Sequence, residues 1–145
     1  MNFVKKTIEK SNFRKFDINT FKMKDTRVII IDNDDICNEV ISKMLNEVEV
    51  EANIVKNAQE ALSKFGEKEY DIIFVADIFN NEKAGMEFLS KMKNVLVVGM
   101  DANLSNEFRN LLNKCGVELF LLKPVKFEQL AVIFRNELQN KIIAK

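Results

Sequence analysis

The chain has 145 residues, enough for one domain with a full hydrophobic core but not for two ordinary ones. Its 22 basic and 22 acidic residues cancel, so the overall charge indicates neither a nucleic acid nor a membrane as partner. The absence of histidine excludes His-based catalytic triads and His metal sites, and no apolar run approaches the ~20 residues of a membrane-spanning helix.

Residues 1–26 form a basic N-terminal extension without a clean hydrophobic period. They carry a net charge of +4, against −4 for the remainder, and their aromatic residues are scattered irregularly among the basic ones. The pattern favours an extension that is mobile or loosely docked on the domain. A segment that binds a partner or a membrane surface is the alternative, although no clear amphipathic face supports it.

From Arg27 onward, apolar runs of strand length alternate with segments of helical periodicity. The predicted strands cover residues 28–31, 51–55, 72–76, 95–98 and 117–122, and the predicted helices cover residues 36–48, 57–66, 85–93, 104–115 and 127–142. The third strand is apolar on both faces and must therefore be covered on both faces. The alternation predicts one α/β domain over residues 27–145, a doubly wound, five-stranded parallel sheet with helices on both faces.

Two helices have apolar faces that predict how they pack. The first helix is predicted to face the core with Ile36, Val40, Ile41, Met44, Leu45 and Val48. The third is predicted to turn Met86, Leu89 and Met92 inward. The two cysteines, Cys37 and Cys115, have no disulfide or metal spacing, which predicts reduced thiols on helix faces and a cytoplasmic location.

The carboxyl ends of the predicted strands meet at one edge of the sheet, and most of the residues that follow them are polar. Asp32 and Asn33 follow the first strand, Asp77 the third, Gly99 the fourth and Lys123 the fifth. Mg²⁺ usually takes one or two carboxylates and completes its shell with water and phosphate oxygens, and a lysine supplies a point charge for a phosphoryl group. This combination is equipped to accept a phosphoryl group, since that chemistry consists of positioning and charge neutralisation.

Each of these residues also has a simpler interpretation. The acidic residues from Asp32 to Asp35 could only cap a helix, Lys123-Pro124 could be an ordinary turn, and Asp77 could begin a loop. Their coincidence at one sheet edge, in this order, favours a site.

These residues resemble the receiver domain of two-component response regulators. The resemblance rests on Ile31-Asp32-Asn33-Asp34, on Asp77 with Gly85 eight residues later, and on the run from Phe120 to Lys123-Pro124. It covers roughly residues 27–142 and implies the flavodoxin-like strand order 2-1-3-4-5.

The resemblance implies roles for individual residues. Asp77 matches the aspartate that takes a phosphoryl group from a histidine kinase, and Lys123 matches the lysine that contacts the phosphoryl oxygens. Asp32 and Asn33 match the acidic pair that holds Mg²⁺, with Asp77 and the backbone carbonyl of Phe79 as further ligands. No organic cofactor is implied.

Phe120 matches the aromatic switch residue of the fifth strand, and the implied output face is the fourth helix, fifth strand and fifth helix. Several residues depart from the family pattern. Asn33 replaces the second acid, so weaker Mg²⁺ binding is expected. Gly99 replaces the Ser or Thr whose hydroxyl grips the phosphoryl group, Met100 stands at a position that is usually small and could crowd Asp77, and Asn81 replaces a common proline.

Two hypotheses therefore compete within the family. The chain is either a working phosphoacceptor with slow or weak chemistry, or a degenerate receiver that serves as a phosphorylation-independent docking module. The survival of Asp32, Asp77 and Lys123 favours the first, with Asp34 or Asp35 as candidates for the missing charge. Neither hypothesis makes the chain a turnover enzyme.

Two other classes fit less well. The run from Asp32 to Asp34 also resembles the D-x-D motif of haloacid-dehalogenase-type phosphatases, with Asp32 as nucleophile and Asp34 as acid. That family needs an acidic strand end after its lysine, and none follows Lys123. A flavin- or dinucleotide-binding domain would need a Gly-rich loop after the first strand, whereas the four glycines are dispersed.

The partners implied are a histidine kinase or phosphotransfer protein, and a downstream protein that binds the output face. Direct nucleic-acid binding and a membrane span are not expected, and a homodimer is left open.

Overall fold

A computed structural model of the chain describes residues 26–65, 69–76, 78, 80–103 and 106–138. The predicted extension, residues 1–26, lies outside this part of the chain except for Thr26. The strands are β1 (Val28–Ile31), β2 (Ala52–Val55), β3 (Ile72–Val75), β4 (Leu96–Asp101) and β5 (Leu119–Leu122). The helices are α1 (Asp35–Asn46), α2 (Ala58–Phe65), α3 (Glu82–Lys91), α4 (Asn106–Lys114) and α5 (Phe127–Val132), which continues as a π-helix over Ile133–Leu138.

The five strands form one parallel sheet in the order β2-β1-β3-β4-β5. The predicted doubly wound α/β fold and the strand order implied by the resemblance are therefore confirmed. β1 lies between β2 and β3, with Ile31 level with both Val55 and Val75. The carboxyl end of β1 thus lies beside that of the middle strand, β3, at the edge where ligands bind in such sheets.

The sheet separates two hydrophobic cores, because successive side chains of each strand point to opposite faces. In β1, Val28 and Ile30 pack in the core that contains residues of α1 and α5, and Ile29 and Ile31 pack in the core that contains residues of α2, α3 and α4. All four are at most 1% exposed. The uninterrupted apolar strands therefore follow from the two-sided burial that a central parallel strand requires.

The inward face of α1 differs from the prediction for two residues. Ile36 is 76% exposed and Val40 is 40% exposed, whereas Asn38, Ile41 and Leu45 are buried. The spacing of these three residues, i, i+3 and i+7, defines the core stripe, and Ile36 and Val40 lie on a neighbouring stripe. A polar residue occupies the core stripe because its side chain hydrogen-bonds to the end of β1, as described below.

The inward face of α3 also differs from the prediction. The helix begins at Glu82 rather than Gly85, because the Asn81 side chain accepts a hydrogen bond of 3.0 Å from the Ala84 N–H. Ala84, Phe88 and Leu89 are buried, and Met86 is 38% exposed. The prediction for Leu89 was correct and that for Met86 was wrong.

The fourth strand is longer than predicted. β4 continues to Asp101, so Gly99 and Met100 lie inside the strand rather than after it. Met100 is 1% exposed and its side chain packs in the core with residues of α1 and α5. Within the described residues, no helix has the length and apolar character needed to cross a membrane.

Candidate functional site

An ion pair joins the ends of β1 and β5. The Lys123 ammonium lies 2.7 Å from Asp32 Oδ2, with the Asp32 side chain fully buried and the Lys123 side chain 16% exposed. The backbone holds both residues in place. The Asp32 N–H donates to the Val55 carbonyl at 3.0 Å, and the Lys123 N–H donates to the Asp101 carbonyl at 2.9 Å. The prediction that these two residues meet at the carboxyl edge of the sheet is therefore confirmed.

Asp34 lies beside this pair and caps α1. Its Oδ1 accepts hydrogen bonds of 3.1 Å from the backbone N–H groups of Ile36 and Cys37, which otherwise have no partner in the first turn of the helix. Its own N–H donates to Asp32 Oδ1 at 3.0 Å. Its second oxygen, Oδ2, is 3.8 Å from the Lys123 ammonium. One lysine therefore faces two carboxylates.

Asn38 is a site residue that the sequence reasoning missed. Its side-chain amide donates a buried hydrogen bond of 2.8 Å to the Asp32 carbonyl, which ties the end of β1 to α1. The residue is 5% exposed, and its Oδ1 has no hydrogen-bond partner among the described residues. The sequence signal was a polar residue three positions before Ile41 and seven before Leu45 on an otherwise apolar stripe.

The ion pair changes the protonation equilibria around it. Burial alone would lower the pKa of Lys123, but the hydrogen bond and charge of Asp32 outweigh it and raise that pKa. Burial raises the pKa of the Cys37 thiol to about 11; Lys123 opposes this shift, and the nearby Asp32 carboxylate adds to it. The lysine is therefore held in its charged form, and the thiol in its neutral form.

Gly99 and Phe120 form a second contact at the same end of the sheet. The two residues are level with each other in β4 and β5, so Phe120 faces the glycine directly. A Cβ added at Gly99 would lie 2.8 Å from Phe120 Cδ1 and 2.7 Å from Leu112 Cδ1. Both neighbours are buried, at 3% and 0% exposure. The space that a Ser or Thr would need is filled by these two side chains.

Of the other predicted metal ligands, only Asn33 is among the described residues. Asn33 follows Asp32 and is exposed. The predicted phosphoacceptor Asp77 and the predicted carbonyl ligand Phe79 lie outside the described residues. Within the part of the chain that the structure describes, no three Cys, Asp or Glu side chains group together to hold a metal ion.

The described residues of the site carry two carboxylates and one ammonium group. Asp32 and Asp34 offer hard carboxylate oxygens, the class of ligand that Mg²⁺ prefers. Lys123 offers a charged ammonium that is oriented by Asp32, on a side chain that is partly exposed to solvent. A site of this kind is suited to a group that carries several negative oxygens.

Comparison with known proteins gives one family. The family model for the response regulator receiver domain matches residues 28–135. A curated relative, the two-component response regulator ARR11 of Arabidopsis thaliana, is 25% identical over 123 residues, covering 80% of this chain and 23% of the relative. The chain thus spans about a quarter of the length of that relative.

Solved structures give the same fold. A two-component response regulator from Clostridium difficile superposes with a TM-score of 0.69 at 19% identity, covering 81% of this chain and 98% of the other. The receiver domain of the sensor histidine kinase PA1611 from Pseudomonas aeruginosa, solved with magnesium in its active-site cleft, gives 0.65 at 17% identity, with 79% and 98% covered. The receiver domain of Ssk1 from Saccharomyces cerevisiae, solved with the histidine phosphotransfer protein Ypd1, gives 0.60 at 18% identity, with 73% and 83% covered.

Proposed function

Because the chain belongs to the response regulator receiver domains of two-component signalling, we propose that Asp77 accepts a phosphoryl group from a histidine kinase or phosphotransfer protein. In the proposed step, the P–N bond of the donor phosphohistidine breaks and a P–O bond forms to the Asp77 carboxylate. The chain accepts one phosphoryl group, and this group must be removed before the chain can accept another. It therefore does not turn over as an enzyme. We place this reaction in the cytoplasm, in keeping with two free thiols.

The contact between Lys123 and Asp32 carries this proposal. Burying a pair of charges usually costs stability or at best breaks even, so a pair kept at the ligand-binding edge favours a chemical role. The contact therefore supports the phosphoacceptor hypothesis over the degenerate one.

Lys123 would act on the transferred group by charge. Its ammonium is held by Asp32, and its side chain is 16% exposed, so the lysine is not fully enclosed by the protein. Phosphoryl transfer builds up negative charge on the equatorial oxygens, and a preorganised cation stabilises that charge without reorganisation during the reaction. Asp32, in turn, keeps the lysine charged by raising its pKa.

The predicted metal ligands offer oxygen atoms, which are the ligands that Mg²⁺ prefers. Asp32 and Asp77 would hold the ion with the Phe79 carbonyl, and the neutral Asn33 would contribute only an amide oxygen. When bound, the ion would neutralise phosphate oxygens in the site. Magnesium in the Pseudomonas aeruginosa receiver supports this assignment by similarity of fold.

An exposed apolar stripe on α1 supports a protein as the phosphoryl donor. Ile36 and Val40 are one helical turn apart, and Ile36 follows the site residue Asp34 by two positions. Two exposed apolar side chains on adjacent turns, next to a polar site, support a surface that another protein covers. The complex of the Ssk1 receiver with a phosphotransfer protein supports the same class of partner. In this proposal, a downstream protein binds the output face formed by the fourth helix, fifth strand and fifth helix.

The proposal is tested by intact mass spectrometry. The full chain is incubated with Mg²⁺ and a small phosphodonor such as acetyl phosphate, beside the variants Asp77→Asn and Asp35→Asn. A single phosphoryl adduct is expected on the wild type and on Asp35→Asn, and none on Asp77→Asn. An unmodified wild type, or an adduct that persists in Asp77→Asn, would reject phosphorylation of Asp77.

A further inference from the structure

Asp34 has a geometry that helix capping alone does not explain. Capping uses only Oδ1, which accepts from two backbone N–H groups. The third hydrogen bond, from the Asp34 N–H to Asp32 Oδ1, connects the residue to the buried carboxylate. Together these bonds fix the orientation of the carboxylate and turn Oδ2 toward Lys123, at 3.8 Å from the ammonium.

The charges around Lys123 show what Oδ2 can contribute. Asp32 is fully buried and already pairs with the ammonium at 2.7 Å, and the next residue, Asn33, is uncharged. The Asp34 side chain is 48% exposed, so its carboxylate group can be reached from solvent, whereas that of Asp32 cannot. Among the described residues of this cluster it is the carboxylate that combines a fixed orientation with access from solvent.

We propose that Asp34 supplies the carboxylate charge that Asn33 lacks, and that it strengthens divalent-cation binding at the site from its position as the α1 cap. This inference rests on the proposed function, because it concerns the same site. It assigns a second role to a residue that already has a structural one. The two roles use different oxygens and can be separated by substitution.

Asp34→Asn separates them. Asparagine is as good an N-cap as aspartate, so this variant keeps the hydrogen bonds of the cap and removes only the charge. Asp34→Ala removes both the cap and the charge. Asp35→Asn is the matched control, since it removes one charge from the exposed residue next along the same turn. The double variant Asn33→Asp with Asp34→Asn returns the charge to the preceding residue.

Cation affinity is measured on the full chain with Mn²⁺, an ion of similar oxygen preference whose free form is counted by electron paramagnetic resonance, and with Mg²⁺ as competitor. Loss of one facing carboxylate charge at a half-exposed position is expected to weaken binding by about tenfold in Asp34→Asn. Asp35→Asn should stay near the wild type, and the double variant should regain affinity. The helix content of Asp34→Asn, measured by circular dichroism, should not change.

Three results would overturn the inference. Equal affinity of Asp34→Asn and wild type would leave Asp34 as a cap only, while the proposed function stands. Equal weakening in Asp35→Asn would indicate a general effect of net charge. A wild type that binds neither ion would remove the inference together with the metal part of the proposed function.

Discussion

The contact between Gly99 and Phe120 leads to a quantitative prediction about stability. Replacing Gly99 by alanine would place a Cβ at 2.7 Å from Leu112 Cδ1 and 2.8 Å from Phe120 Cδ1. Carbon atoms attract each other best at about 3.5–4.0 Å, so both side chains would have to move by roughly 1 Å. They are buried in a packed core and have little room to do so. Overpacking of this kind is expected to cost about 1–3 kcal/mol.

The assay is urea unfolding followed by far-UV circular dichroism, since the chain has no tryptophan and one tyrosine. The midpoint should fall in Gly99→Ala while the dependence of unfolding free energy on urea concentration stays constant. Gly99→Ser, which restores the hydroxyl found in the family, should be destabilised in the same direction.

Two further variants identify the cause. Gly116 has a positive φ of 88° and no atom near its added Cβ, so Gly116→Ala tests backbone strain without crowding. In a Leu112→Ala background, the cost of Gly99→Ala should shrink by at least about 0.5 kcal/mol, because one of the two clashing atoms is gone. A Gly99→Ala variant within about 0.5 kcal/mol of the wild type would refute the argument, since it would mean that the two side chains yield freely.

Three more predictions concern the site and its surroundings. Ile36→Lys should slow phosphoryl transfer from a protein donor and leave the reaction with acetyl phosphate unchanged, as measured by intact mass; equal loss with both donors would argue against α1 as a docking surface. In a Cys115→Ser background, iodoacetamide should alkylate Cys37 at pH 8 roughly a hundredfold more slowly than an ordinary thiol, because its pKa is raised to about 11. Asp32→Asn should speed that reaction, because the carboxylate helps to raise this pKa, and an unchanged or slower rate would contradict it. The raised pKa of Cys37 should also stabilise the fold below pH 9 and lose this contribution as the pH rises toward 11, because the unfolded thiol ionises first. Cys37→Ala should therefore lose less stability than the wild type between these pH values in urea titrations, and parallel curves would refute the linkage.

The order of the elements and the chemistry of the edge could be predicted from local patterns. Strands such as Val28–Ile31 and Ile72–Val75 are apolar on both faces, and this alone requires covering layers on both sides of a sheet. Since parallel strands end at one edge, the positions of Asp32 and Lys123 directly after their strands were enough to bring them together. Strand order came from the family resemblance, because spacing along the chain does not specify which strands pair.

Tertiary packing decided what local patterns leave ambiguous. In α1 the apolar residues cover more than one stripe, and the hydrogen bond from Asn38 to the Asp32 carbonyl selects the stripe that faces the core and leaves Ile36 exposed. The need for glycine at position 99 likewise depends on Leu112 and Phe120, which come from elements distant in sequence. The sequence by itself determined the layers of this protein and the charges at its edge. Contacts between distant segments decided which faces are buried and which oxygens face the lysine, because those choices depend on neighbours that no local period encodes.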